Sequence, residues 1–220
     1  PASLQIVNED TRLEFSNTNG NAINVDDVEA TELQVNVKVN HGTISLKNTS
    51  GVSFLLGDGT DDTEMTFKGS KSDVNSALNS LSYLGNPNFF SSDSLYVAVS
   101  DSGVAGIGGT LSAAATVQIS VLSVNDAPIN TIPPSPQTFN EDTDFVFSAA
   151  NGNGLSVSDV DADVLQVTLT VSQGALTLPV RNGLTFTTGD GISDKTMTFI
   201  GGKSILNLAL DGLIYRGNLN

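Results

Sequence analysis

Carboxylates are the residues of this chain best suited to chemistry, and the chemistry that they suit is the binding of a divalent cation. The chain holds 24 Asp and Glu residues against 9 Lys and Arg, which gives a formal net charge of −15. Ca²⁺ takes carboxylate and carbonyl oxygens, about six to eight at a time. The same charge argues against nucleic acids and anionic lipid surfaces as partners, because both are bound through clusters of Lys and Arg.

A duplication within the chain separates the acids that recur from those that do not. The segment Asn8-Glu9-Asp10-Thr11 returns as Asn140-Glu141-Asp142-Thr143, at an offset of 132 residues (140 − 8) that holds without a gap to Asn220. The period is far longer than a solenoid repeat and suits a whole domain. The acids that recur are Glu9/Glu141, Asp10/Asp142, Asp27/Asp159, Asp58/Asp190 and Asp62/Asp194, and Glu29/Asp161 keeps the charge.

The recurring acids predict calcium sites near the ends of the duplicated units. Asp159 and Asp161 stand at alternate positions, so in an extended segment their carboxylates point the same way. The main predicted site combines residues from the linker, from the second copy and from a strand end of the first copy. Its members are Asn125, Asp126, Glu141, Asp159, Asp161 and Asp101. The equivalent acids of the first copy, Glu9, Asp27 and Glu29, are expected to face a preceding unit, so their site is expected to be incomplete.

Turn formation is the alternative role for these acids. Asp and Asn side chains accept backbone N–H groups in turns, and Asn-Asp-Ala-Pro is a good turn sequence. For Gly57-Asp58-Gly59 and Gly189-Asp190-Gly191 a hairpin turn is favoured, because Gly supplies the positive φ that such turns require. Neither segment has the longer ligand run and closing Glu of an EF-hand loop.

The residues needed for catalysis are scarce. His41 is the single histidine, Gln173 replaces it in the second copy, and nothing resembling a nucleophile elbow occurs. Paired carboxylates can hydrolyse glycosides, but the chain has no Trp and only 6 % aromatic residues to line a sugar cleft. We therefore predict a protein that is not an enzyme, with His41 in a turn.

Alternating apolar and polar residues predict that strands carry these acids. Leu33, Val35, Val37 and Val39 alternate with polar residues, and the same pattern returns 132 residues later. Further strands are predicted near 44–46, 52–56, 64–67, 94–100 and 116–122. Short strands between Gly, Asn and Asp turns indicate an all-β fold of sandwich units.

One segment in each unit follows a helical period instead. Val74, Ala77, Leu78 and Leu81 are spaced as one face of a helix, with Ser70 or Ser72 as its cap. The counterpart in the second copy covers 204–213. Each unit is therefore expected to contain one short helix between strands.

The linker and the chain ends indicate two domains. A proline-rich stretch follows Val124-Asn125-Asp126-Ala127-Pro128, so we place one repeat at 1–125 and a C-terminally incomplete one at 126–220. Truncation, or strands supplied by a neighbouring chain, would account for the missing counterpart of 89–126. The first residues do not form a signal peptide and are interpreted as a boundary within something longer. Cysteine is absent, and no apolar run approaches the ~20 residues of a membrane span.

The order of these motifs resembles the cadherin-like repeats of giant bacterial surface adhesins, related to the repeats of chondroitin sulfate proteoglycans. The resemblance rests on Asn-Glu-Asp-Thr near the unit start, 39–46, Met65-Thr66-Phe67, 96–101 and the closing Val-Asn-Asp-Ala-Pro. It covers essentially the whole chain. It implies Greek-key β-sandwiches stacked end to end, export, and calcium at or near the joints.

These observations together predict a secreted extender segment at the bacterial cell surface. Its partners would be neighbouring repeats of its own chain, and it would be a monomeric segment that supports cell adhesion without inserting into a membrane. A carbohydrate- or protein-binding adhesive module is the alternative function. The near-gapless duplication favours the extender, because a spacer needs equivalent copies.

Overall fold

The computed structural model describes residues 1, 3–101, 109–134 and 136–218, and divides them into two compact units, Pro1–Val124 and Asn125–Asn220. The predicted site residues all lie within the described ranges. The elements of the first unit are β1 (Gln5–Asn8), β2 (Leu13–Glu14), β3 (Glu32–Lys38), β4 (Gly42–Leu46), β5 (Val52–Leu56), β6 (Glu64–Ser70), α1 (Lys71–Leu78), β7 (Leu81–Gly85), β8 (Ser92–Ser100) and β9 (Ser112–Leu122). Those of the second unit are β10 (Ile129–Thr131), β11 (Asp144–Phe147), a 3₁₀ turn (Ala149–Asn151), β12 (Ser156–Ser158), β13 (Val164–Thr170), β14 (Ala175–Thr177), β15 (Thr185–Thr188), β16 (Thr196–Gly202), α2 (Lys203–Leu210) and β17 (Leu213–Arg216).

Two sheets enclose the core of the first unit. One has six strands in the order β1-β9-β8-β3-β6-β5, and the other has three in the order β2-β7-β4. The pairings are antiparallel except that of β1 with β9, which is parallel with Gln5 opposite Ile119. Both sheets and α1 contribute fully buried side chains, such as Val35, Tyr83 and Leu78, to one hydrophobic cluster.

Period-two patterning accounts for β3, the strand between β6 and β8. Leu33, Val35 and Val37 are fully buried, while the intervening residues remain partly exposed. Burying each such side chain stabilises the fold by about 1.5–3 kcal/mol. The alternation predicted from sequence is therefore the alternation that the core uses.

The predicted helices form, but they are shorter than expected. In α1 the Oγ of Ser70 accepts the N–H of Asp73 at 3.2 Å, which confirms Ser70 as the cap. The helix ends at Leu78, because the Ser80 hydroxyl donates to the carbonyl of Ala77 at 2.7 Å and turns the chain. Leu81 then starts β7 rather than a further helical turn, so its assignment to the helix was wrong. Leu213 likewise starts β17, not the end of α2.

The second unit repeats the plan of the first with fewer strands. Its sheets are β10-β12, β11-β17-β14 and β13-β16-β15. A hydrophobic cluster around Leu178, Met197, Phe199 and Leu210 forms its core. Among its described residues, no strands correspond to β8 and β9 of the first unit.

The prediction of a β-rich fold is confirmed in this coarse form, since 44 % of the residues form strands and the two α-helices have eight residues each. No helix within the described residues is both long and apolar enough to cross a membrane.

Candidate metal-binding carboxylates

Glu9 is the most deeply buried of the predicted metal ligands. It follows β1, and only 4 % of its surface is exposed. Its Oε1 accepts the N–H of Val124 at 2.6 Å, and its own N–H donates to the carbonyl of Leu122 at 2.9 Å. The second oxygen, Oε2, is buried without a hydrogen-bond partner. Because burial of an unpaired charge is costly, this oxygen is suited to a cation.

The structure corrects the expected position of Glu9. We expected it at the end of its unit that faces a preceding repeat, together with Asp27 and Glu29. The parallel pairing of β1 with β9 places the end of β1 beside the end of β9, where Asn8 lies opposite Leu122. Glu9 therefore lies where the first unit ends.

Asp126, Asp159 and Asp161 come together in the second unit, before the start of β13. The N–H of Asp126 donates to Oδ2 of Asp161 at 2.7 Å. Oδ1 of Asp159 accepts the N–H groups of Asp161 and Ala162 at 2.9 and 2.7 Å. Asp126 and Asp161 are about half-buried, so carboxylates from two separate segments meet in a partly dry environment.

The first unit forms the same turn around Asp27. Its Oδ1 accepts the N–H groups of Ala30 and Glu29 at 2.6 and 2.8 Å, and these two bonds lower the pKa of Asp27 below its ordinary value. Lys71 donates to the carbonyl of Asp27 at 2.7 Å, as Lys203 does to that of Asp159 at 2.8 Å. Turn formation, the alternative role, thus occupies one oxygen of each of these aspartates.

Asp101 lies away from the residues with which it was grouped. It accepts the N–H of Leu111 at 3.0 Å, next to the start of β9. The eleven residues of β9 separate that point from Leu122 by about 33 Å at 3.3 Å per residue. Asp101 instead shares a surface cavity of about 160 Å³ with Asp27. The first unit thus carries Glu9 at one end and Asp27 with Asp101 at the other.

Glu141 and Asn125 are also not drawn into the cluster of Asp126, Asp159 and Asp161. Glu141 is exposed and precedes β11, whose Asp144 lies opposite Arg216. Arg216 also pairs with Ala175, which follows the far end of β13, so Glu141 belongs to the opposite end of this unit. The exposed side chain of Asn125 donates to the carbonyl of Asp126 at 3.0 Å.

The Gly-Asp-Gly segments are turns, as predicted. Oδ2 of Asp62 accepts the N–H groups of Asp58 and Gly59 at 3.1 and 2.8 Å, in the connection between β5 and β6. Asp194 repeats this with Asp190 and Gly191 at 3.0 and 2.7 Å. A Cβ on Gly57, where φ is +74°, would lie 2.7 Å from the Asp62 carboxyl carbon. The recurrence of these acids is thus explained by backbone geometry.

Sequence reasoning missed Asp93, a buried carboxylate next to His41. Asp93 is 5 % exposed and accepts the N–H of His41 at 3.0 Å and the hydroxyl of Tyr83 at 3.0 Å. His41 stacks on Phe89 with ring centroids 4.7 Å apart. No local pattern marks Asp93, since its partners are ten and about fifty residues away.

The chain matches no protein-family model and no curated protein. The resemblance to cadherin-like repeats therefore stays a prediction, carried by the motifs of the chain itself.

Proposed function

We propose that this chain is a non-catalytic extender segment of a secreted bacterial surface adhesin, in which calcium bound at the joint between cadherin-like repeats stiffens the array. The observation that carries the proposal is the buried Oε2 of Glu9, which has no hydrogen-bond partner at the point where the first unit ends. A protein that extends rather than reacts needs equivalent repeats and firm joints. The duplication supplies the first requirement, and calcium would supply the second.

The strand arrangement supports Greek-key sandwiches as the repeats. In the first unit the chain leaves the six-stranded sheet after β3, forms β4 in the other sheet, and returns for β5 and β6. It crosses again for β7 and returns with β8 beside β3. Such crossings between two sheets that share one core are typical of Greek-key sandwiches.

The main chain at the joint supports calcium as the stiffening agent. Glu9 holds the N–H of Val124, and Asp161 holds the N–H of Asp126, two residues further along. A stretch of three residues is thus held by a carboxylate at each end. Carboxylates gathered in a partly buried region repel one another unless a cation intervenes. Calcium suits this set because it accepts carboxylate and carbonyl oxygens in flexible geometry.

Thermal unfolding with calcium and with EDTA tests the metal site. One site at a calcium concentration about 100 times its Kd stabilises the folded protein by about 2.7 kcal/mol. Asp161→Asn keeps an oxygen that can accept the Asp126 N–H but removes a charge, so most of this gain should be lost. Asp163→Asn is the matched control, because Asp163 lies two residues away with its side chain 97 % exposed. A wild-type melting temperature that does not respond to calcium would overturn the proposal.

The mechanical role has a test of its own. ¹⁵N relaxation reports the rotational correlation time of each unit separately. With calcium the two units should tumble with a common correlation time, and with EDTA their values should diverge. Calcium binding without this change would keep the metal site and reject the stiffening role.

A further inference from the structure

One sheet edge distinguishes the second unit from the first. In the first unit β3 lies between β6 and β8, with pairs such as Val35 opposite Phe67 and Val35 opposite Val99. Its counterpart β13 pairs with β16 along its whole length. On its other side, the described residues place no strand. The backbone groups that β3 directs to β8 therefore have no strand partner in β13.

The side chains of β13 record the same difference. Leu33, Val35 and Val37 are fully buried in β3, whereas their counterparts Leu165, Val167 and Leu169 are only partly buried. A cavity of about 230 Å³ runs beside β13 and is lined by Val157, Val167, Leu169 and Leu210 among others. In the first unit the apolar side chains of β8 and β9, such as Leu95 and Val117, are part of the core.

The edge of β13 also lacks the usual protection against pairing. Natural edge strands are kept apart by charged residues, proline or bulges. The charges at the ends of β3, Glu32 and Lys38, are replaced in β13 by Val164 and Thr170, so Val-Leu-Gln-Val-Thr-Leu-Thr is uncharged throughout. The other edge of the same sheet, β15, carries a register shift between Phe186 and Thr188. An uncharged, regular edge is competent to accept a strand.

We infer that β13 is an acceptor edge that binds a β-hairpin of the β8–β9 type supplied by another polypeptide. The first strand of that hairpin runs antiparallel to β13 and carries apolar side chains at alternate positions, as β8 does with Leu95, Val97 and Val99. The first unit fixes the expected register. Gln34 lies opposite Ser100 and Val37 opposite Val97, so 132 residues later a β8-like strand should place its Val99 opposite Val167 and its Val97 opposite Leu169.

Cysteine cross-linking tests this register, because the wild-type chain has no cysteine. A synthetic peptide of residues 89–122 is the probe, and the 220-residue chain is the acceptor. In a glutathione redox buffer, the Val167→Cys chain should link to a Val99→Cys peptide at least about tenfold more than to an Ala98→Cys peptide, because neighbouring residues of a strand point to opposite faces. The Thr168→Cys chain should show the reverse preference. Equal linking in all four combinations would overturn the inference.

Binding to the unmodified chain gives an independent readout. The wild-type peptide at about 100 times its Kd should raise the folding equilibrium constant of the second unit about 100-fold, measured by hydrogen exchange of its amides. A peptide carrying Val97→Asp should have no effect, and this control leaves the acceptor unchanged. Failure of the wild-type peptide to bind at millimolar concentration would refute the inference. So would a dimer of the chain paired through β13 that the peptide does not dissociate.

Discussion

The hydroxyl of Tyr83 donates a hydrogen bond to the carboxylate of Asp93 across 3.0 Å in the core of the first unit. The side chain of Tyr83 is fully buried, and Asp93 also accepts the N–H groups of His41 and Ser94 at 3.0 and 2.7 Å. Burial, reinforced by the negative charge of Asp93, raises the pKa of Tyr83 well above its ordinary value. One side-chain pair thus connects β7 to the loop after β3 and to β8.

The raised pKa of Tyr83 predicts a loss of stability of the first unit in alkali. Above about pH 10 the unfolded chain releases the phenolic proton while the folded unit retains it. The contribution is therefore complete below about pH 10 and declines above it, by up to about 1.4 kcal/mol per pH unit. Urea unfolding between pH 8 and 11, followed through amide NMR signals of the first unit, measures this decline.

Two tyrosine variants isolate this contribution from that of other groups. Tyr83→Phe should lower the stability at neutral pH by about 1.5–3 kcal/mol, since it removes a hydrogen bond to a charged acceptor, and should flatten the alkaline decline. Tyr96→Phe is the control, because Tyr96 is 41 % exposed on β8. An alkaline decline of equal slope in the wild type and in Tyr83→Phe would contradict the assignment.

The turn between β5 and β6 predicts different costs for two glycine substitutions. At Gly57, φ is +74° and an added Cβ would lie 2.7 Å from the Asp62 carboxyl, whereas at Gly20, φ is +72° and nothing lies within 4 Å. Gly20→Ala should therefore cost only the left-handed strain, about 1–2 kcal/mol. Gly57→Ala should cost clearly more, because it also displaces the carboxylate that holds two N–H groups. Urea midpoints of the two variants decide the matter, and equal losses would mean that the Asp62 contact contributes nothing.

The two helices differ at their N-terminal caps, and exchanging the caps gives a further prediction. Ser70 caps α1 through its Oγ, whereas the equivalent Gly202 gives α2 no side-chain bond. Ser70→Ala should cost the first unit about 1 kcal/mol, and Gly202→Ser should stabilise the second by a few tenths of a kcal/mol. Thermal unfolding measures both. Gly202→Ala supplies a Cβ without the hydroxyl, so a gain from alanine equal to that from serine would argue against capping.

Local patterns in the sequence predicted those features that depend on local spacing. The alternation of Leu33, Val35 and Val37 gave the strand β3, and the spacing of Val74, Ala77 and Leu78 gave α1. The same spacing wrongly included Leu81, because a helical period continues in the sequence after Ser80 has turned the chain. Periodicity describes a face of an element and does not mark where the element ends.

Long-range pairing could not be predicted in this way. The position of Glu9 depends on the parallel pairing of β1 with β9, which joins residues more than 100 apart in the chain. Asp101 was grouped with the linker because it ends a strand of the same unit, yet β8 and β9 are antiparallel and their connection lies at the far end. The duplication identified which acids recur, but only the topology separates those that form turns from Glu9, whose Oε2 is left without a hydrogen-bond partner.

The separation of Glu9 from Asp101 predicts opposite effects on calcium binding at the joint. Glu9→Gln removes the buried charge but not the shape of the side chain, so calcium affinity reported by the amide signals of Asp126 and Asp161 should fall about tenfold or more, which corresponds to at least about 1.4 kcal/mol. Asp101→Asn retains an acceptor for the Leu111 N–H and should leave that affinity unchanged, because about 33 Å of β9 lies between it and Leu122. The readout is local, so calcium bound elsewhere on the chain would not disturb it. Equal weakening by both variants would place the calcium ion away from Glu9, and no weakening by either would leave the Glu9 carboxylate with a purely structural role in holding Val124.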